Sequence, residues 1–172
     1  ADCTPLCHLE KFTHNPHSYV KLWKHHGAEE EALQIDRIAK EREEKWLPLY
    51  GGKVSSEWMI PKILETLHHA PDVYKEADRF MEALDWIIWQ MTGEETRSAC
   101  CAGYKAYYHH EKGYPSKDFL LPYRMSVFFP NRLYAIQNRI LRCPFGNILK
   151  INLFLHNPAL ICLQIYRNFI RK

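Results

Sequence analysis

A mainly helical fold with little sheet of its own is what the first 118 residues predict. Two observations carry this, and a third sets the class. Apolar residues recur at three- and four-residue spacing in successive segments, and Pro and Gly stand where those segments begin and end. The 172 residues are 47% apolar and 25% charged, the balance of an ordinary soluble globule long enough for one domain with a real core.

Taken in order, "NPHSYVKLWKHHGAEEEALQIDRIAKERE" reads as two helical segments. Asn15 ahead of Pro16 is a cap followed by proline at the first helical position. Val20, Trp23 and Gly27 share a spacing in the first segment. Ala32, Ile35, Ile38 and Ala39 form the apolar stripe of the second. Pro48 and Gly51-Gly52 make "LPLYGGKVSSEW" a loop, after which Ser55 or Ser56 caps a helix through "EWMIPKILETLHHA". Its stripe is Met59, Ile60, Ile63, Leu64 and Leu67, with Pro61 tolerated in the first turn. Pro71 opens a short helical turn, "EALDWIIWQMTG" is a helix closed by Gly93, and "EETRSACCAGYKAYY" is irregular before a short helix with small residues on one face.

The charge distribution breaks sharply near Asp118. Up to that residue 15 Lys and Arg face 20 Asp and Glu; beyond it come eight bases and no acid. Three readings of residues 120–172 stand. The favoured one is out-of-frame translation of an AT-rich gene, which yields such Ile/Leu/Phe/Asn/Arg-rich peptide. The others are a basic arm for anionic lipid or nucleic acid, and an ordinary C-terminal strand-and-helix region. No stretch of 18 apolar residues occurs, and "ADCTPLCHLEKF" is not a signal peptide. The missing initiator methionine leads us to expect a start inside a longer protein. Six scattered cysteines make a reduced, cytoplasmic setting the expectation rather than a disulfide framework.

Metal binding, phosphate binding and polyol binding compete for the polar residues. Zinc would need converging ligands, but Cys3-x₃-Cys7 has no second pair at a usual distance. The His25-His26, His68-His69 and His109-His110 pairs point about 100° apart on a helix, which disfavours a shared ion. No Cys–His motif supports a cysteine nucleophile, and "YGGK" is far from a phosphate-binding G-x-x-x-x-G-K-[ST] loop. A polyol-binding surface is the third possibility: fixed donors for hydroxyls and flat rings for C–H faces. Trp23, Tyr50, Trp58, Tyr104 and Lys105 are of the right types, although each taken singly is as well explained by packing or solvation.

Four motifs raise that third possibility: "NPHSYVKLWKHHGA", "YGGKVSSEWMIPKI", "EALDWIIWQMTG" and "AGYKAYYHHEKGYPSKDF". In this order and with similar gaps they resemble the bacterial L-ribulokinases of the FGGY carbohydrate kinase family, across roughly Asn15 to Phe119. "ADCT" is similar to the end of the segment that precedes a variable loop, here shortened before "PLCHL". The resemblance implies an α/β fragment of a ribonuclease H-like, actin-type ATPase fold. Residues 1–119 would be part of the N-terminal, sugar-binding domain, and 120–172 a divergent basic tail. The implied reaction moves the γ-phosphate of ATP, with Mg2+, to L-ribulose or a related ketopentose in arabinose catabolism, with neither nucleic acid nor membrane as partner. By the same resemblance Lys105 contacts the sugar and Asp2 and Cys3 line it, Asp2 departing from the alanine of some members. Tyr50 is a looser candidate, and Trp23 and Glu57 are pocket-adjacent. The catalytic base, nucleotide site and C-terminal domain fall outside the matching stretch. Because phosphoryl transfer rests on positioning and charge stabilisation, this chain is expected to be inactive alone. The alternative function is a small helical interaction module with a basic C-terminal arm.

Overall fold

The computed structural model describes residues 4–109 and 111–120. Asp2, Cys3, His110 and the tail from residue 121 onward lie outside the described residues, so the expectations placed on them are not met by any observation here.

The chain begins with three short 3-10 turns, Leu6–His8, Glu10–Phe12 and Pro16–Ser18. Phe12, Ala70 and Val73 form a small cluster under them, with Leu6 and Leu9 against it. Asn15 caps the third turn as the sequence predicts: its side chain accepts from the His17 N–H at 3.0 Å, and Pro16 occupies the first position. The helix expected beyond it does not form. Ser18 Oγ donates to the Phe12 and Asn15 carbonyls, and Tyr19 is extended at φ −93, ψ 164. Val20, Trp23 and Gly27 are exposed, so their spacing marks no core stripe. Tertiary hydrogen bonds replace helical ones, since Lys62 Nζ donates to the Leu22 carbonyl at 2.8 Å.

Helix α1 spans Glu29–Glu41, with three glutamates in its first turn where the macrodipole favours negative charge. Its predicted stripe holds: Ala32, Ile35 and Ala39 are buried and Ile38 packs against the same cluster. Helix α2, Met59–His69, lies against α1 with Ile60, Pro61, Ile63 and Leu64 buried. Its start differs from expectation. Trp58 holds the cap position without a side-chain bond, while Ser55 Oγ accepts from the Glu57 N–H at 3.3 Å and Ser56 is buried near His26. The serines shape the turn before the helix rather than capping it.

Helix α3, Pro71–Glu76, folds back on α2 and buries Val73 and Tyr74. Helix α4, Ala83–Thr92, stops at Gly93, whose φ of 72 is the left-handed value that glycine adopts without strain. Only Asp85 and Trp89 of α4 are buried; Ile87, Ile88 and Met91 face solvent. Helix α5, Ala99–Lys105, is capped by Ser98, whose side chain accepts from the Cys101 N–H. An antiparallel bridge pairs His109 with Gly113 and is followed by the single turn α6, Lys117–Leu120.

The centre of the core is aromatic. Trp46 stacks on Tyr107 at 4.4 Å and meets Phe119 edge-on at 5.2 Å, while Tyr50 and Trp58 pack edge-on against Tyr107. Tyr107 takes a φ of 59, an unfavourable value for a bulky residue, and this packing holds it there. The cluster fixes the segment that follows α5, and so fixes where α5 ends.

Candidate functional site

Lys105 is the last residue of α5. Its Nζ lies 2.7 Å from Glu82 Oε2 and 4.6 Å from the centre of the Trp23 ring. Both members of the ion pair are about four-fifths buried, at 20% and 19% exposure. Trp23 in turn stacks on Tyr104 at 5.9 Å and 24°, and both rings keep an outward surface, at 39% and 50% exposure. An ammonium over an indole face is attracted by the ring quadrupole. Two residues that the sequence placed in different segments thus form one feature: a charged pair beside a two-ring platform.

A second lysine stands behind it. Lys62 Nζ donates to the Leu22 carbonyl and, at 3.5 Å, to that of Trp23, tying the Trp23 segment to α2. Burial pulls the Lys62 ammonium below its usual value and the Lys105 charge pulls the same way, against Glu82 and Glu57. The same segment is tied again at Glu65, whose carboxylate takes Lys21 on one oxygen and His25, at 3.0 Å, on the other. Burial would raise the Glu65 carboxyl, but the Lys21 and His25 bonds and charges together hold it below its usual range.

Of the remaining sequence-chosen residues, Glu57 stands 3.7 Å from His26 and within electrostatic reach of Lys62. Tyr50 is different. It is part of the aromatic core, its hydroxyl donates to the Gly103 carbonyl of α5, and burial pushes that hydroxyl up to about 12. It therefore braces the helix that carries Lys105. The neighbouring Cys101 thiol is also pushed up to about 12 by burial, with Asp85 and Glu82 adding.

Two participants were missed in the sequence. Lys62 gave no signal, being one base on a helix with an apolar stripe. Glu82 gave none either: only the structure shows it at the cap of α4, where Ser, Thr, Asp and Asn are the favoured types. Its side chain makes no cap bond and is turned to Lys105.

A separate concavity of about 340 Å³ opens between the end of α1 and the 107–116 turn, lined by Arg42, Lys45, Trp46, Tyr107, His109 and Lys112 among others. It includes none of the residues around Lys105. Among the described residues no three His, Cys, Asp or Glu side chains converge as a metal site. Likewise, no helix among them is long and apolar enough to cross a membrane.

Sequence comparison adds what geometry alone does not. The chain is 56% identical over 115 residues to a ribulokinase of Geobacillus thermodenitrificans, a match covering 67% of this chain and 20% of that protein. It is 48% identical over 120 residues to a ribulokinase of Mycolicibacterium smegmatis, covering 70% and 21%. A ribulokinase of Staphylococcus aureus matches at 48% over 110 residues, 64% of this chain and 20% of the relative. No family model matches. The chain spans about a fifth of the length of the curated relatives it matches.

Proposed function

We propose, from the ribulokinase fragment that makes up two thirds of this chain, that the site around Lys105 is part of the sugar-binding surface of a carbohydrate kinase. One observation carries the reading: more than half of the residues in a 115-residue match are identical to a protein named ribulokinase. The site supports it. A desolvated ammonium with three donors, a carboxylate partner and two partly exposed rings suit a polyol, which offers hydroxyls on its edges and C–H groups on its faces.

In this reading Lys105 donates to a hydroxyl of L-ribulose or a related ketopentose, and Trp23 limits where its ammonium can go. Glu57 acts at a distance through Lys62. Tyr50 supports α5 from below, and Asp2 and Cys3 would complete the sugar site from outside the described residues. The fold to which the fragment belongs is the N-terminal part of a ribonuclease H-like kinase, whose sheet is supplied by other parts of the whole protein. The protein works in the cytoplasm.

Mg-ATP fits the whole enzyme but not these residues. The described part lacks a converging carboxylate set, and Gly51-Gly52-Lys53 is a solvent-facing turn. Nucleotide, metal and catalytic base belong to other segments, so this chain by itself transfers no phosphate. Residues 120–172, basic and free of acid, are read as out-of-frame sequence; the DNA around codon 119 tests this, since a single-base shift should restore a ribulokinase continuation.

The direct test is a chimera in which residues 15–119 replace the matching stretch of the Geobacillus thermodenitrificans ribulokinase. The chimera should phosphorylate L-ribulose with ATP, and Lys105→Met in it should lower kcat/KM at least about tenfold, the loss of one hydrogen bond from a charged group. A folded but inactive chimera, or full activity in Lys105→Met, refutes the reading.

A further inference from the structure

We propose that Glu82 is itself a sugar-contacting residue: its carboxylate accepts a hydroxyl adjacent to the one that receives a hydrogen bond from Lys105. The pair then reads two neighbouring hydroxyls of a diol. The inference rests on the assignment of Lys105 to the sugar surface and goes beyond it by adding the acceptor half of the site.

Five observations carry this. It stands at the cap of α4, where a carboxylate could accept from the helix's first N–H groups, yet no such bond is made. Instead Oε2 lies 2.7 Å from Lys105 Nζ. The contact leaves the other carboxylate oxygen and two ammonium hydrogens to bond elsewhere, because a carboxylate accepts on both oxygens and an ammonium donates three times. Glu82 retains 19% exposure and Lys105 20%, so both are largely stripped of water while still reachable from it. Finally, the exposed Trp23–Tyr104 platform meets the pair at Lys105, giving the C–H face of a polyol a surface to lie on.

The chemistry matches a diol closely. Each hydroxyl both donates and accepts, so a neighbouring pair can take one bond from the ammonium and give one to the carboxylate. A purely cationic site, having no acceptor, cannot satisfy both. A missing hydroxyl leaves one charged, mostly buried group without its partner, which is the strongest way for a polar site to reject an analogue. The Glu82–Lys105 pair is thus a specificity device for a vicinal diol, and Trp23 and Tyr104 are tolerant of which sugar supplies it.

The test separates contact from positioning. Dissociation constants for L-ribulose and for each singly deoxygenated L-ribulose are measured by calorimetry on the 172-residue chain, wild type, Glu82→Gln and Lys105→Met. Where affinity for the chain is too low to measure, KM in the chimera gives the same comparison. Circular dichroism verifies that each variant is folded. Glu82→Gln should weaken L-ribulose about tenfold, the scale of one charged hydrogen bond. For one deoxygenated analogue it should cause no further loss, because the hydroxyl it served is already gone. An equal loss for every analogue would make Glu82 a positioning residue for Lys105 and overturn the proposal; so would no loss at all. Unchanged affinity in Lys105→Met would instead refute the assignment of Lys105, whatever Glu82 does.

Discussion

Replacing Glu65 by glutamine removes one negative charge from a point where two elements are joined. Its side chain is 5% exposed and bonded to Lys21, itself 15% exposed, and to His25, 42% exposed. Removing one partner of a fully buried pair costs roughly 3–5 kcal/mol. Here the glutamine oxygen still accepts from Lys21 and water reaches His25, which brings the expected loss to about 2 kcal/mol. With a urea slope of about 1–3 kcal/mol per molar for a domain of this size, the midpoint should fall by roughly 1 M with the slope unchanged. The pH dependence follows from the lowered Glu65 carboxyl. Its stabilisation is complete above the usual carboxylate value of 4.5 and disappears as pH falls through the lower folded-state value. The wild type and Glu65→Gln should therefore differ fully at neutral pH and converge in acid below 4.5. Urea unfolding followed by tryptophan fluorescence across this range is the assay. Equal midpoints at neutral pH, or a difference that survives unchanged into strong acid, would refute the account of Glu65 as the tie between the Trp23 segment and α2.

Gly27→Ala should act on the same tie, since an added Cβ would come within 2.5 Å of both Glu65 Oε1 and His25 Nε2. These are side-chain ends that can rotate away, so the loss should be about 1 kcal/mol or less in urea unfolding, and should shrink in a Glu65→Ala background, where the contact with Oε1 is gone. Tyr50→Phe removes the hydroxyl that donates to the Gly103 carbonyl and should cost about 1 kcal/mol. In spectrophotometric titration of the folded chain, the same substitution should remove a tyrosine that ionises near 12.

Helices with an interior stripe were legible in the sequence, and the reason is visible in α1 and α2. Ile35 and Leu64 are fully buried in the contact between these helices, so local spacing and tertiary burial agree. The stretch from Tyr19 to Ala28 was misread because nothing local reveals that Lys62 will take the Leu22 carbonyl from 40 residues away. The same holds for Ser55 and Ser56, whose hydroxyls were claimed by a turn and by His26. Of the site, Lys105 and Trp23 were found through family motifs, whereas Glu82 and Lys62 become visible only once α4 and α2 are in place. A polar residue's partner is a long-range fact, and residue type alone does not encode it.

Helix α4 adds a dynamic consequence to the site. It is held to the described protein mainly by Asp85, which accepts from the Ser98 N–H at 2.9 Å, and by the buried Trp89. A helix with so few inward side chains sits low on the ladder of local opening energies, and its amides should exchange with solvent before those of α1 and α2. Glu82 stands at its N-cap. Each time α4 loosens, the carboxylate leaves Lys105, and the ammonium loses its fixed direction. Closure of the Glu82–Lys105 pair is therefore a population, set by how firmly α4 is seated, and any contact that covers Ile87, Ile88 and Met91 would shift it toward the closed pair.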